Sequence, residues 1–293
     1  MNIVAQMLVR NEADIIQECV REIFRWVDTL VVLDGASTDG TCSMLRDLAS
    51  EYAQQNKTLF LHSRPDPEDR FADHYRNELL QLTYRFMRPG RDWIISVDAD
   101  EIFHVDEDAA NGIDPAEAIR LAEENGGTVV RSFIPQFWLT FDDLRHGALV
   151  EDETISVQTR RRWYSWGHAG TFIWKSHPDH FYPQDTPKRT PERPGLNWNQ
   201  WQRPGPVATV CKHYCIRGMQ QGLDRARERL ARGGRKYFGK YALPNWVIDE
   251  RIVRLHYFDP TDEYWVIENN HDRLYEYMSG EYHEQAQALP FSD

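Results

Sequence analysis

The chain has 293 residues, with 34 Lys plus Arg against 46 Asp plus Glu, for a formal charge of −12. At 41% hydrophobic and 27% charged residues it is neither a disordered nor a fibrous sequence, and it has ample material for a buried core. The acidic balance argues against a general nucleic-acid binder, yet it leaves room for an anionic ligand held through a metal or a local basic patch.

The first half alternates strands with helices. Ile3–Val9 is a short apolar run that reads as a buried strand, and Ile15, Ile16, Cys19, Val20, Ile23 and Phe24 then recur at helical spacing. Leu30–Leu33 is a second strand, and Leu45, Leu48, Ala49 and Tyr52 mark a second helix. Leu59–Leu61 is a third strand, and Phe71, Tyr75, Leu79, Leu82 and Phe86 mark a third helix. Trp93–Val97 is a fourth strand. Such alternation predicts an α/β fold with a mostly parallel sheet covered on both faces, whose ligands bind beyond the carboxyl ends of the strands.

A further helix is bounded by Asp114 as its cap, Pro115 in its first turn and Gly126-Gly127 at its end, and Thr128–Ile134 follows as a strand. After about Phe137 the pattern degrades, with further strands expected at Thr154–Thr159 and Thr171–Trp174. Pro178 to Pro206 reads as a loop or lid, and Gly218–Arg232 as a basic helix. The tail from 245 to 293 has no clear pattern. Cys19, Cys42, Cys211 and Cys215 form no CxxC pair, so reduced thiols are expected. The amino terminus has neither a basic n-region nor a cleavage site, and no apolar run is long enough to span a bilayer. The expected setting is cytoplasmic, at most peripheral to a membrane.

The chemistry concentrates at strand ends. Asp98-Ala99-Asp100-Glu101 directly follows the apolar run Trp93–Val97, and carboxylates so close repel one another unless a cation intervenes. Hard oxygen donors suit Mg2+ or Mn2+; the plainer reading is a solvated acidic turn. Asp34-Gly35-Ala36-Ser37-Thr38-Asp39-Gly40-Thr41 follows the second strand. Helix capping and a tight turn account for Ser37 through Thr41 and leave Asp34 over, at a position where a ribose or base could be hydrogen-bonded. Val9-Arg10-Asn11-Glu12 ends the first strand, and Arg76-Asn77 lies on the helix before the acidic strand.

These four motifs, in this order and spacing over residues 1–104, resemble the family 2 glycosyltransferases of GT-A (Rossmann-like) fold, and most of all the bacterial members that build lipopolysaccharide cores and related glycans. One departure stands out: many members carry Asp-Asp or Asp-Ser-Gly-Ser where this chain has Asp34-Gly35-Ala36-Ser37, although Asp34 itself is kept. The resemblance implies a mostly parallel sheet flanked by helices with an acceptor-side extension. Residues 1–135 would be the nucleotide-sugar half and 136–293 the acceptor half of one continuous domain. It implies transfer of a sugar, with inversion, from a nucleotide-diphosphate donor to a glycan or glycolipid hydroxyl, with Mn2+ or Mg2+ as cofactor.

The implied roles follow residue by residue. Val9, Arg10 and Glu12 would line the base pocket, Asp34 would hold the base or ribose, and Arg76 would help hold the donor. Asp98 would approach the ribose or the metal shell, Ala99 beside it would be among the donor-binding residues, and Asp100 would bind the donor by ligating the metal. A late His often completes that shell in similar enzymes; His213, in Cys211-Lys212-His213-Tyr214, is the candidate, against a plain structural histidine. The acceptor's proton needs a base, and many members place a His-Glu pair after the acceptor-side strand. Here Trp174-Lys175-Ser176-His177-Pro178-Asp179 lacks the Glu, which leaves Asp179, His177, Asp142 or Asp143 as candidates, each also readable as a solvated loop residue.

Trp163, Trp166, Trp174, Trp198 and Trp201 suit either a sugar-stacking platform or a small aromatic core. The basic stretch Arg217 to Lys240 suits an anionic acceptor, a membrane surface or a solvated helix face. Two alternatives stay open: a nucleotidyltransferase, disfavoured because no glycine-rich loop follows the first strand, and a non-catalytic nucleotide- or sugar-binding module.

Overall fold

The computed structural model describes residues 1–64, 75–105, 113–137, 152, 154–161, 163–183, 190–215, 217–218, 221–222, 224–225 and 274–276. Strands β1 (Ile3–Val9), β2 (Thr29–Asp34), β3 (Thr58–Ser63) and β4 (Trp93–Asp98) alternate with helices α1 (Ile16–Ile23), α2 (Thr41–Ala53) and α3 (Arg76–Tyr84). There follow β5 (Glu101–His104), α4 (Pro115–Glu124), β6 (Val129–Phe137), α5 (Val157–Arg160), β7 (Trp163–Lys175), α6 (Trp198–Trp201), β8 (Pro204–His213) and β9 (Leu274–Glu276).

The strands form one mixed, mostly parallel sheet in the order β3-β2-β1-β4-β7-β6-β8-β5, with β9 paired to β7. β1 pairs in parallel with both β2 and β4, and β2 with β3. β7 runs antiparallel to β4 and β9 antiparallel to β7. The α/β class read from the sequence is therefore the class observed. β1, β2 and β4 are apolar almost throughout because helices cover both faces. α1 turns Ile16, Cys19, Val20 and Ile23 inward at helical spacing. On the α3 face, Val4, Leu8, Val31 and Leu33 pack with Tyr75 and Leu79.

Two compact units emerge: residues 1–134 with 168–212, and residues 135–167 with 213–293. In the first, a polar seam runs through the core. Gln6 Nε2 donates to Ser96 Oγ (3.3 Å) and to Tyr182 Oη (3.5 Å), and Gln6 Oε1 accepts from Thr83 Oγ1 (3.0 Å). These groups are buried, and their pairing offsets the cost of removing them from water. In the second unit, Arg161 and Arg217 are buried; the Arg217 carbonyl accepts from the guanidinium of Arg161, and Arg217 Nη1 donates to the Tyr214 carbonyl (3.0 Å). Phe137 stacks on Tyr214 with ring centroids 4.8 Å apart.

α4 begins and ends as its sequence signals require. Asp114 accepts from Glu117 N (2.7 Å), Pro115 fills the first turn, and Gly126 closes the helix at φ 69°. Elsewhere the structure departs from expectation. Thr154–Thr159 is no strand: Ser156 accepts from Gln158 N and opens the short helix α5. β5 and β8 were not foreseen, and β8 starts inside the stretch read as a loop or lid. Its opening Pro204-Gly205-Pro206 breaks the apolar pattern that marks the other strands. The expected third helix is observed from Arg76, with residues 65–74 outside the described residues. Trp174 and Trp201 are core residues, packed with Ile94, Leu80 and Tyr182. The side chains of Trp163, Trp166 and Trp198 lie outside what is described, as does most of the basic stretch after Arg217, while Arg217 itself is buried and not on a solvated face. No described helix is long and apolar enough to cross a membrane.

Candidate functional site

Register brings the sequence motifs to one place. Val9 pairs with Asp34, Leu8 with Asp98, and Asp34 with Ser63, so β1, β2, β3 and β4 all end at one carboxyl edge. Asp34 and Asp98 are separated by β1 alone, which sets them about 10 Å apart. Arg76 opens α3 above the same edge; its guanidinium is buried and its Nη2 lies 3.8 Å from Asp98 Oδ1.

The floor of this edge is two loops bonded to each other. Asn11 N donates to Ser37 Oγ (2.9 Å), Thr38 N to Asn11 Oδ1 (2.8 Å), Glu12 N to Thr41 Oγ1 (2.9 Å), Ala13 N to Asp39 Oδ2 (3.1 Å) and Gly35 N to the Val9 carbonyl (2.9 Å). Ser37, Thr38 and Asp39 were expected to cap α2; Asp39 Oδ1 accepts from Thr41 N (2.9 Å), whereas Ser37 and Thr38 hold the β1–α1 loop. Asn11 and Ala36 take left-handed φ of 54° and 60° to permit this, readily for asparagine and at a cost for alanine.

Asp34 is almost wholly buried. Its carboxylate accepts from Ser37 Oγ, from Ser37 N (3.2 Å to Oδ2) and from Cys42 Sγ (3.2 Å). Ser63 Oγ lies 3.3 Å from the same sulfur. Burial pushes the Cys42 thiol pKa up, and the neighbouring Asp34 carboxylate adds to that.

The acidic turn is divided. Asp98 keeps 27% of its side chain exposed, whereas Asp100 and Glu101 are buried. Glu101 Oε2 accepts from Asp98 N (2.9 Å), and Cys19 Sγ donates to the Ala99 carbonyl, which pins the turn to α1. Val9 reaches the edge, but its side chain is buried and its carbonyl is taken by Gly35. Arg10 and Glu12 are half-buried on the loop between Val9 and α1.

The motif Arg76-Asn77 splits. Arg76 faces Asp98, while Asn77 turns to Tyr182, giving Nδ2–H to its carbonyl (2.6 Å) and accepting from its N–H (2.7 Å). Tyr182 had no sequence signal, because its partners are distant in the chain.

His177 and Asp179 are not brought to this edge. β7 is antiparallel to β4, with Lys175 opposite Trp93. Ser176 N and Oγ both donate to the Asp92 carbonyl (2.9 and 2.6 Å), and Tyr84 Oη, at the far end of α3, donates to the His177 carbonyl (2.7 Å). His177 therefore sits at the amino edge of β4, about 16 Å of strand away from Asp98. Asp179 stays with it, 3.5 Å from His177 Nδ1, and Arg193 Nη2 approaches His177 Nε2 (2.9 Å). Burial and the Arg193 charge lower the His177 pKa, and Asp179 only partly opposes them. Neither residue is placed to serve a ligand held at Asp34 and Asp98. Asp142 and Asp143 lie outside the described residues. His213 ends β8, half-buried, and belongs to the second unit.

Among the described residues no group of three or more His, Cys, Asp and Glu side chains gathers to hold a metal ion. By donor chemistry alone, the hard carboxylate oxygens of Asp98 and Asp100 are of the kind that suits Mg2+ or Mn2+. Such ions are commonly held by one or two carboxylates, with phosphate and water oxygens completing the shell.

No protein-family profile matches this chain. No curated protein matches it either. Among solved structures it is distantly similar to the mannosyltransferase PcManGT from Pyrobaculum calidifontis in complex with GDP-Man and Mn2+, with a TM-score of 0.40 and 16% identity over 86% of this chain and 68% of that one. It is likewise similar to GalNAc-T7 with UDP, GalNAc and Mn2+, with a TM-score of 0.40 and 12% identity over 87% of this chain and 54% of that one, about half its length.

Proposed function

We propose that this chain is a metal-dependent glycosyltransferase that moves a sugar from a nucleotide-diphosphate donor to a hydroxyl of a glycan or glycolipid. The observation that carries the reading is the shared register of Val9, Asp34 and Asp98 at one carboxyl edge, with the buried Arg76 guanidinium beside Asp98. A ribose or base hydrogen-bonded at Asp34 leaves its diphosphate near Asp98 and Arg76, about 10 Å away, a span that fits a nucleoside diphosphate. The motifs of residues 1–104 support the same assignment.

Asp34 accepts from the nucleoside, Arg76 offsets negative charge, and Asp98 with Asp100 would hold the divalent cation. When bound, that cation neutralises charge developing on the departing diphosphate. The acceptor's proton goes to a group other than His177 or Asp179, because both lie at the opposite edge. That separation also favours a second reading, a nucleotide-sugar-binding module without turnover. One experiment decides between them: titrate nucleoside diphosphates with and without Mn2+, then follow sugar release from labelled donors. Metal-dependent binding with slow hydrolysis that Asp100→Ala abolishes supports the transferase. Binding with no release under any condition supports the module, and no binding removes both.

A further inference from the structure

The four cysteines have no assigned part in the proposed reaction, yet Cys42 touches its carboxylate. Cys42 is the second residue of α2, half-buried, and its Sγ lies 3.2 Å from Asp34 Oδ2 and 3.3 Å from Ser63 Oγ. Asp34 is thus gripped by two separate elements: Ser37 N and Oγ from the turn, and the thiol from the helix. A carboxylate has about four acceptor positions; the Ser37 N–H is shared between Oδ1 and Oδ2, Ser37 Oγ takes Oδ1 and the thiol takes Oδ2, so the three described donors leave room for one further ligand hydroxyl or base N–H.

We propose that Cys42 is a positioning residue for nucleotide binding, whose thiol hydrogen bond turns the open acceptor position of Asp34 toward the donor. This rests on the reading of Asp34 as a donor-binding residue. A methyl group at residue 42 fills part of the space but donates nothing, so the carboxylate swings about its Ser37 contacts. A hydroxyl donates again. Bulk added to the sulfur lies against Asp34 and Ser63 and obstructs the edge.

The test compares wild type, Cys42→Ala and Cys42→Ser for binding of UDP and of GDP with Mn2+, alongside ligand-free unfolding temperature. Cys42→Ala weakens the preferred nucleotide about five-fold, the effect of one modest hydrogen bond, while Cys42→Ser stays within about two-fold of wild type. Where turnover is measurable, the loss falls on KM and not on kcat. In parallel, iodoacetamide is applied in mildly alkaline solution, where the thiolate displaces iodide to form a thioether and its proton passes to solvent. Bound nucleotide slows labelling at Cys42 and leaves Cys215 unchanged. Equal affinity of Cys42→Ala and wild type overturns the proposal. So does a loss that serine does not rescue, or one matched by a lower ligand-free unfolding temperature, since either indicates packing. If wild type binds neither nucleotide, the functional reading itself fails and this inference with it.

Discussion

The side-chain amide of Asn77 holds the backbone of Tyr182 at both its N–H and its carbonyl, at 2.7 and 2.6 Å across 105 positions of sequence. This clamp fixes the segment leaving β7 against the first turn of α3, next to Arg76. Asn77→Ala removes both bonds and is expected to destabilise the fold by about 2 kcal/mol. Asn77→Asp keeps the acceptor but sets an anion against the Tyr182 carbonyl, so it costs no less than half of that. Chemical denaturation of the three proteins measures the ladder; an Asn77→Ala midpoint equal to wild type contradicts it.

His180 carries a pH signature. It is 3% exposed, its ring is tilted against that of Trp201 with centroids 4.7 Å apart, and neither ring nitrogen has a partner among the described residues. Burial first, then the charges of His177 and Arg193, push its pKa down to about 3. The unfolded chain takes up the proton near pH 6.5 while the folded one stays neutral, so stability falls as pH drops through that window and is whole above it. The slope is at most about 1.4 kcal/mol per pH unit, and His177 adds in the same direction. His180→Phe flattens the decline between about pH 6.5 and about pH 4.5. Urea midpoints across that range test this, and parallel lines for the two proteins argue against it.

Ala36 holds a left-handed φ of 60°, a conformation that costs a residue with a Cβ about 1 kcal/mol. Ala36→Gly is expected to raise stability by up to that amount, less the glycine's larger entropy loss on folding. Asn56, at φ 58°, tolerates the region better, so Asn56→Gly gains less. Differential scanning of both variants reads the contrast, and an unfolding temperature lowered by Ala36→Gly refutes it.

Asp98 keeps its carboxylate partly in solvent while Asp34 is held inside the edge. Asp98→Asn is expected to remove the Mn2+-dependent part of nucleotide affinity and leave the metal-free part nearly intact. Asp34→Asn instead weakens both in proportion. Calorimetric titrations with and without Mn2+ separate the two, and identical profiles for the variants undo the division of labour.

Much of the amino-terminal half is legible because strands buried on both faces must be apolar runs; Ile3–Val9 coincides with β1 and Trp93–Val97 falls within β4. The edge follows, since parallel neighbours bring Val9, Asp34 and Asp98 to one side. Direction is what the run Thr171–Trp174 hides. An apolar strand reads the same whether it lies parallel or antiparallel to β4, and that choice alone decides the edge at which His177 and Asp179 emerge. The partition of Asp98 from Asp100 is equally silent in sequence, because it depends on Glu101 folding back to the Asp98 N–H. Cys42 and Tyr182 act through partners on other elements, which no local spacing records.

The hydrogen bonds that stitch Asn11–Ala13 to Ser37–Thr41, together with that from Gly35 to Val9, have a bearing on recognition. Neither loop can reshape itself without dragging its neighbour, so a ligand entering this edge, a nucleoside in the proposed function, would meet walls held by these bonds. Affinity at this edge then depends on fit to a fixed mould, and close chemical relatives of the true ligand are refused for shape and not accommodated by rearrangement.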